Sequence, residues 1–237
     1  MTVLQGLEAR LRLARLCLVT DAREARGDLA DFLAAAFAGG VDLVQLRPPG
    51  LGWQTVEIAR QAAAASQGIV GLRGSDGLAG EVQADLLHLG QADRTGASGR
   101  PHPYALLGRS THDQAELADA VADDDLDYLT VGPVYLGPDS AYPAVGLELV
   151  RAAATAAPVY DMGAKPWFAV GGITPDTLAG VLEAGARRVC VSAAITEAAD
   201  PRAAARTLAT ALRDAWRADA ESERYTFAAA ASPGRRR

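Results

Sequence analysis

Eight short apolar runs, separated by stretches of helical period, are the feature of this 237-residue chain that most restricts its fold. Each run is as long as a buried strand, and the stretches between the runs are typical of helices. Such alternation indicates a parallel sheet, and eight parallel strands are the number that closes a (β/α)8 barrel. The predicted strands are Leu16–Thr20, Val41–Leu46, Ile69–Leu72, Leu86–Leu89, Tyr104–Leu107, Tyr128–Val131, Trp167–Val170 and Val189–Ser192.

The chain divides into one barrel and a short tail. Residues 1–217 are expected to form a single (β/α)8 TIM barrel with a short helix before the first strand, because 49% apolar residues suffice for one such core. Beyond Arg217 the helical period fades into alanine-rich sequence that ends in three arginines. Residues 218–237 are therefore expected to be disordered.

Two strand ends carry small residues that run directly into predicted helices. The strand at Trp167–Val170 is followed by Gly171–Gly172, and the last strand is followed by Ser192–Ala193. The first N–H groups of a helix have no intrahelical acceptor and attract anions. In (β/α)8 barrels the loops after strands seven and eight commonly bind phosphate. Gly171, Gly172, Ser192 and Ala193 are therefore predicted to bind a phosphate group.

Charge and hydropathy argue against several classes of partner. A net charge of −6 disfavours binding to nucleic acid or to a membrane surface. The first 18 residues carry charges among apolar residues, unlike a signal peptide, and no apolar run is long enough to span a membrane. We therefore expect a cytoplasmic protein whose Cys17 and Cys190 are reduced, buried neighbours in the first and last strands.

Six motifs follow one another along the chain from about Arg15 to about Trp216. They are Cys17–Asp21, Gly39–Arg47, Leu87–Gln91, Gly108–Asp113, Asp127–Tyr128 with Val131–Pro133, and Gly171–Ile173. In this order they resemble the thiamine phosphate synthase family, which has the thiazole tautomerases as a sister group. The resemblance implies an enzyme that joins hydroxymethylpyrimidine diphosphate to a thiazole phosphate and releases diphosphate, with Mg²⁺ as cofactor. It is also compatible with a homodimer.

The resemblance implies two anion sites at one end of the barrel. The residues that match the thiazole phosphate site are Gly171, Gly172, Ser192 and Ala193, whose contacts come mostly from the backbone. Those that match the pyrimidine and diphosphate side are Gln45, Arg47, Arg73 and Ser110. Asp93 matches a Mg²⁺ ligand. The candidate catalytic residues are Arg47, Ser110 and His112.

Three positions on the diphosphate side depart from the family pattern. Pro49 replaces a basic residue, Leu72 replaces a Mg²⁺ ligand, and Ser140 replaces a lysine in the loop after strand six. Leucine offers no oxygen to a hard cation, so Mg²⁺ at Asp93 would depend on oxygens of the substrate phosphates. The thiazole phosphate side shows no such loss.

Three functions are compatible with these residues. The family default is the synthase reaction. A thiazole tautomerase would use the same phosphate site with His112 as proton shuttle, since imidazole titrates near neutral pH. A third hypothesis is a non-catalytic protein that binds thiazole phosphate or thiamine phosphate.

Structural roles are the alternatives at individual positions. Arg47 and Arg73 can be explained by ion pairs with Asp42 or Asp76 instead of an anion site. His112 can be explained as a residue that bonds backbone at a helix start. His88 is expected to fill the barrel interior.

Overall fold

A computed structural model describes residues 6–21, 23, 25–47, 51–74, 76–90, 100–137 and 142–232. Eight parallel strands, numbered in chain order, close into a barrel in which each strand pairs with its sequence neighbours and β8 pairs with β1. The predicted single (β/α)8 barrel is therefore confirmed. The strands are β1 (Leu16–Thr20), β2 (Leu43–Leu46), β3 (Ile69–Arg73), β4 (Leu86–Leu89), β5 (Leu106–Thr111), β6 (Tyr128–Val131), β7 (Trp167–Val170) and β8 (Val189–Val191).

Helices surround the strands and cover the amino-terminal end of the barrel. The expected short helix before β1 is present, and its Leu11 packs with Ala14 against the interior end of the barrel. The helices are α1 (Leu7–Leu13), α2 (Leu29–Gly39), α3 (Trp53–Ala64), α4 (Asp76–Glu81), α5 (Gln114–Ala122), α6 (Gly146–Ala156), α7 (Pro175–Glu183), α8 (Ala193–Thr196), α9 (Pro201–Ala218) and α10 (Ser222–Ala231).

Side chains alternate between two cores along every strand. Outward residues such as Leu18, Leu46 and Leu72 pack with the helices in the larger apolar core. Inward residues such as Leu43 and Phe168 form a smaller interior cluster. Because successive side chains of a strand point to opposite faces, a one-residue shift would exchange these two sets.

Strand β5 differs from its prediction. It runs from Leu106 to Thr111, whereas the sequence predicted Tyr104–Leu107. Tyr104 is 84% exposed, so its aromatic ring gave a false strand signal. Pairing with β6, in which Ser110 lies opposite Thr130, extends β5 toward the carboxyl end. The extension places Ser110 on the strand itself.

The expected disorder after residue 217 is wrong for most of that segment. Helix α9 continues to Ala218, and α10 occupies Ser222–Ala231. Alanine has the highest helix propensity, and Tyr225 of α10 is buried against Trp216. Residues 233–237, which include the three terminal arginines, lie outside the described residues.

Cys17 and Cys190 are neighbours across the β1–β8 seam, as expected. They are paired in register, both are free and buried, and their Sγ atoms are 3.0 Å apart. Burial raises the pKa of the Cys17 thiol well above its usual value. Within the described ranges, no helix combines the length and the apolar character needed to cross a membrane.

Candidate active site at the barrel mouth

A cavity of about 330 Å³ opens at the carboxyl ends of the strands. It is lined by residues at the ends of β2, β3, β5, β7 and β8 and by the loop after β6. Eight of the predicted site residues line this cavity: Arg47, Arg73, Ser110, His112, Gly171, Gly172, Ser192 and Ala193. Both predicted anion sites therefore belong to a single compartment.

The Gly171–Gly172 turn requires glycine at both positions. Their φ angles are +102° and +58°, a region that residues with a side chain rarely adopt. A Cβ on Gly171 would lie 2.4 Å from the Cβ of Pro133, and one on Gly172 would lie 2.7 Å from the Cβ of Tyr135. The loop after β6 is thus pressed against the turn, and the turn presents backbone to the cavity.

The Ser192–Ala193 turn lies beside the glycine turn on the cavity wall. Ser192 is the N-cap of α8, and its carbonyl accepts from Ile195 N at 2.9 Å and from Thr196 N at 3.0 Å. The N–H groups of Ala193 and Ala194 come before these two in the helix and have no intrahelical acceptor. Backbone donors from two adjacent turns favour an anionic group at this part of the cavity.

Arg47 and Arg73 bring positive charge to the other side of the cavity. Arg47 is exposed directly after β2, and Arg73 is the last residue of β3. Neither guanidinium forms a salt bridge with any residue in the described ranges. Two arginines at the rim are suited by their chemistry to a polyanion, and a diphosphate site at this point stays a prediction.

The alternative ion pair with Asp42 is wrong. The carboxylate of Asp42 lies at the opposite end of the barrel, where it accepts from Arg15 N at 2.7 Å and Leu16 N at 2.9 Å. Burial raises the pKa of Asp42, whereas these two hydrogen bonds act against the rise. The side chain of Asp76 lies outside the described residues.

His112 follows β5 and is held by a carboxylate one helical turn later. Its Nδ1 is 3.0 Å from Oε2 of Glu116, which also accepts from the His112 backbone N–H at 2.6 Å. A carboxylate accepts hydrogen bonds, so the neutral imidazole carries its proton on Nδ1 and Nε2 is an acceptor. The ring also stacks on Tyr142, with centroids 3.9 Å apart.

Glu116 and Tyr142 were missed by the sequence analysis. Glu116 is recoverable from its spacing, because residues four apart on a helix start share one face. Tyr142 is exposed and lies outside the helices and strands, and no local pattern indicates that it meets His112.

Gln45 does not line the cavity, although it was predicted to bind substrate. It faces inward on β2, is 1% exposed, and donates from Nε2 to Oη of Tyr128 at 3.0 Å. Its contact with a pyrimidine stays a prediction.

Behind the wall, His88 fills the barrel interior, as expected, and links Tyr128 to Ser110. Its Nδ1 lies 2.8 Å from Tyr128 Oη, and its Nε2 lies 2.9 Å from Ser110 Oγ. Burial lowers the pKa of His88 to about 3, and the positive charge of Arg73 acts in the same direction. His88 is therefore neutral at physiological pH.

The described part of the mouth does not fit a Mg²⁺ site. Leu72 is fully buried in the apolar core between strands and helices, so its side chain points away from the cavity. Across the described residues, no three His, Cys, Asp or Glu side chains come together to hold a metal. Asp93, Pro49 and Ser140 lie outside the described residues, so Mg²⁺ binding by Asp93 stays a prediction.

Comparison with known proteins agrees with this geometry. Residues 16–195 match the family model for thiamine monophosphate synthase. The chain is similar to a thiamine-phosphate synthase of Mycobacterium leprae, with 46% identity over 225 residues that cover 87% of this chain and 94% of that protein. A thiamine-phosphate synthase of Thermobifida fusca is 44% identical over 215 residues, covering 86% and 94% respectively.

A solved structure shares the fold. The thiamine phosphate pyrophosphorylase of Pyrococcus furiosus superimposes with a TM-score of 0.73 at 23% identity, covering 89% of this chain and 99% of that one. At this identity the likeness concerns the fold alone. The family model and the two sequence relatives show that the chain belongs to the thiamine monophosphate synthase family.

Proposed function

We propose that this chain couples hydroxymethylpyrimidine diphosphate to a thiazole phosphate and releases thiamine phosphate and diphosphate. The observation that carries the proposal is the shared cavity. It joins two backbone turns suited to a static phosphate with two arginines suited to a polyanion. A single-substrate protein would need only one of these two anion sites.

The two sites match the different charges of the two substrates. The carbon–oxygen bond to diphosphate breaks, the thiazole nitrogen forms the new bond to the pyrimidine methylene carbon, and negative charge develops on the departing diphosphate. The position of Arg47 and Arg73 on the cavity wall supports a role for them in stabilising that charge. The thiazole phosphate keeps its charge throughout, so neutral N–H groups of the Gly171–Gly172 and Ser192–Ala193 turns are sufficient to hold it.

A direct assay tests this proposal. Purified protein is incubated with both substrates and Mg²⁺, and thiamine phosphate is measured by chromatography. The expected result is thiamine phosphate and diphosphate in equal amounts. Absence of product at high enzyme concentration overturns the proposal.

Removal of Arg73 tests the arginine side of the cavity. Arg73→Ala should lower kcat by roughly a hundred- to a thousandfold, the usual effect of deleting one charge-stabilising donor. Arg109→Ala is the matched control, because Arg109 on β5 pairs with Asp123 at 3.3 Å outside the cavity. Equal rates for Arg73→Ala and the wild type would remove Arg73 from the diphosphate site.

A thiazole tautomerase is the second candidate, favoured by one observation. His112 lines the cavity, and Glu116 fixes its proton on Nδ1, which leaves Nε2 able to accept a proton from a bound thiazole. The test is aromatisation of the thiazole carboxylate precursor, followed by NMR. Activity that is lost in His112→Ala supports this candidate, and no conversion by the wild type excludes it.

A non-catalytic binder is the third possible outcome. Heat with thiazole phosphate in calorimetry, together with no turnover in either assay, would assign this role. Absence of heat would exclude it.

The cytoplasmic location and a homodimer also stay predictions, and light scattering of the purified chain measures the oligomeric state.

A further inference from the structure

A line of buried polar side chains crosses the barrel behind the cavity wall. Its members, here called the relay, are Gln45, Tyr128, His88, Ser110 and Thr130, and none is more than 5% exposed. Ser110 and Thr130 line the cavity, whereas the other three lie behind it. Buried polar groups are costly unless they are hydrogen-bonded, so such a line needs a physical explanation.

The hydrogen bonds of the relay run in one direction. Gln45 Nε2 donates to Tyr128 Oη, so the single phenolic proton is left for Nδ1 of His88 at 2.8 Å. Because Nδ1 accepts, the neutral imidazole carries its proton on Nε2 and donates to Ser110 Oγ at 2.9 Å. The proton of the Ser110 hydroxyl is therefore directed away from His88.

Thr130 adds a second contact at the cavity end. Its Oγ1 lies 3.3 Å from His88 Nε2 and donates to Ser110 Oγ at 3.4 Å. Both bonds are longer than the bond from His88 to Ser110, so His88 is the main partner of Ser110 within the relay.

The barrel interior is built to admit the Tyr128 ring. A Cβ on Gly108 would lie 2.0 Å from Cε1 of Tyr128, so only glycine leaves room for the ring. Phe168 meets the ring edge-on, with centroids 6.2 Å apart. The sequence therefore provides space and packing that hold the phenol between Gln45 and His88.

We propose that His88 and Tyr128 are positioning residues that fix the Ser110 hydroxyl, and the direction of its proton, for the pyrimidine diphosphate. This inference rests on the proposed function for the identity of the substrate. The orientation of the Ser110 hydroxyl at the cavity wall is therefore set by the amide of Gln45 on the far side of the barrel. Neither positioning residue lines the cavity.

Tautomer measurement tests the direction of the relay independently of activity. The chain has three histidines, so ¹⁵N-histidine NMR with His102→Gln and His112→Gln variants assigns the His88 signals. The expected result is a neutral His88 with its proton on Nε2 from about pH 8 down to about pH 5. A proton on Nδ1, or a charged His88 in this range, overturns the proposal.

A double-mutant cycle tests whether Tyr128 acts through Ser110. Tyr128→Phe removes one oxygen and keeps the ring. It should lower kcat/KM for pyrimidine diphosphate by roughly ten- to a hundredfold, the effect of losing a group that supports a binding side chain, with KM for thiazole phosphate unchanged. In a Ser110→Ala background the same change should have almost no effect. Additive losses would show a merely structural role and overturn the proposal.

Two substitutions of His88 and one control complete the test. His88→Gln keeps an N–H for Ser110 and should retain more kcat/KM than His88→Phe, and equal losses would contradict the proposal. Leu212→Ala is the control, because Leu212 on α9 is buried in the larger core outside the strands and belongs to no part of the relay. It should lower Tm and leave kcat/KM for pyrimidine diphosphate unchanged. A fall in kcat/KM as large as that of Tyr128→Phe would also overturn it.

Failure of the proposed function gives a different pattern. If the wild type forms no thiamine phosphate, the coupling reaction is excluded. The tautomer measurement still decides the direction of the relay hydrogen bonds. In that case the double-mutant cycle of Tyr128→Phe and Ser110→Ala compares the Kd values for pyrimidine diphosphate, measured by calorimetry. Absence of any binding by the wild type would overturn the positioning role as well.

Discussion

Gly171 shows how a single residue sets the chemistry of the proposed phosphate site. Its left-handed backbone and its close approach to Pro133 exclude any side chain. The site can therefore offer only backbone donors at this point, and these suit a phosphate whose charge does not change. In the proposed reaction charge develops on the departing diphosphate, and the side chains of Arg47 and Arg73 are the cations proposed to stabilise it.

Gly171→Ala should weaken the thiazole phosphate site. The new Cβ would clash with Pro133 and strain the backbone, so KM for thiazole phosphate should rise at least about tenfold, equivalent to 1.4 kcal/mol. Gly180→Ala is the matched control, because its Cβ would meet Tyr135 Oη at an ordinary 3.5 Å within helix α7. It should raise stability by about 0.5 to 1 kcal/mol with KM unchanged. Steady-state kinetics and urea unfolding measure both.

At the scale of elements, α9 and α10 close the amino-terminal end of the barrel around a buried cation. Arg188 is fully buried and donates from Nη2 to Arg12 O at 2.8 Å and to Tyr225 Oη at 3.2 Å. Its guanidinium lies 5.1 Å from the ring centroid of Trp216. Burial lowers the pKa of Arg188, and the aromatic rings offset part of the cost of the buried charge.

Tyr225→Ala should therefore destabilise the whole barrel. It removes a buried ring and one acceptor of Arg188, and the expected loss is about 3 kcal/mol of unfolding free energy in urea titration. Phe227→Ala on the same helix is the control, since its side chain is 78% exposed. Its change should stay within about 0.5 kcal/mol. Similar losses for both variants would show that α10 is not docked through Tyr225.

At the scale of the whole molecule, the two ends of the barrel have separate tasks. The amino-terminal end carries Asp42, Arg188 and α10, which satisfy backbone groups and bury apolar surface. The carboxyl end carries the cavity. The relay lies between them and couples function to stability, because its hydrogen bonds both orient Ser110 and satisfy buried polar groups.

His88 should make stability depend on pH. Its pKa is lowered to about 3 in the folded state from 6.5, so below pH 6.5 the unfolded chain binds a proton that the folded chain does not. Stability is therefore fully present above pH 6.5 and is lost as the pH falls toward 3. From pH 7 to pH 5 the expected contribution is a loss of about 2 kcal/mol.

Urea unfolding of the wild type and His88→Gln at these two pH values measures this contribution. The variant should show a pH-dependent loss that is smaller by about 2 kcal/mol, because glutamine does not titrate. An identical pH dependence of the two proteins would contradict a buried neutral His88.

The barrel was predictable because strand–helix alternation and inward and outward periodicity are local properties of the chain. The Gly171–Gly172 and Ser192–Ala193 turns were predictable for the same reason, since a strand that ends in small residues before a helix is visible in sequence. The tail was not. Its alanine-rich composition fits a helix or a disordered segment, and burial of Tyr225 against Trp216 decides between them.

The sequence by itself therefore determined the eight-stranded barrel, the family and eight of the residues that line the mouth. Only the tertiary structure decided that Gln45 lies behind the cavity wall, that Leu72 faces the helices, and that His88 connects Tyr128 to Ser110. The physical reason is that barrel closure brings distant strands together across the interior. Such contacts require that each side chain point into the barrel and that the interior have space for it, as Gly108 leaves space for the Tyr128 ring. No local sequence pattern specifies both conditions.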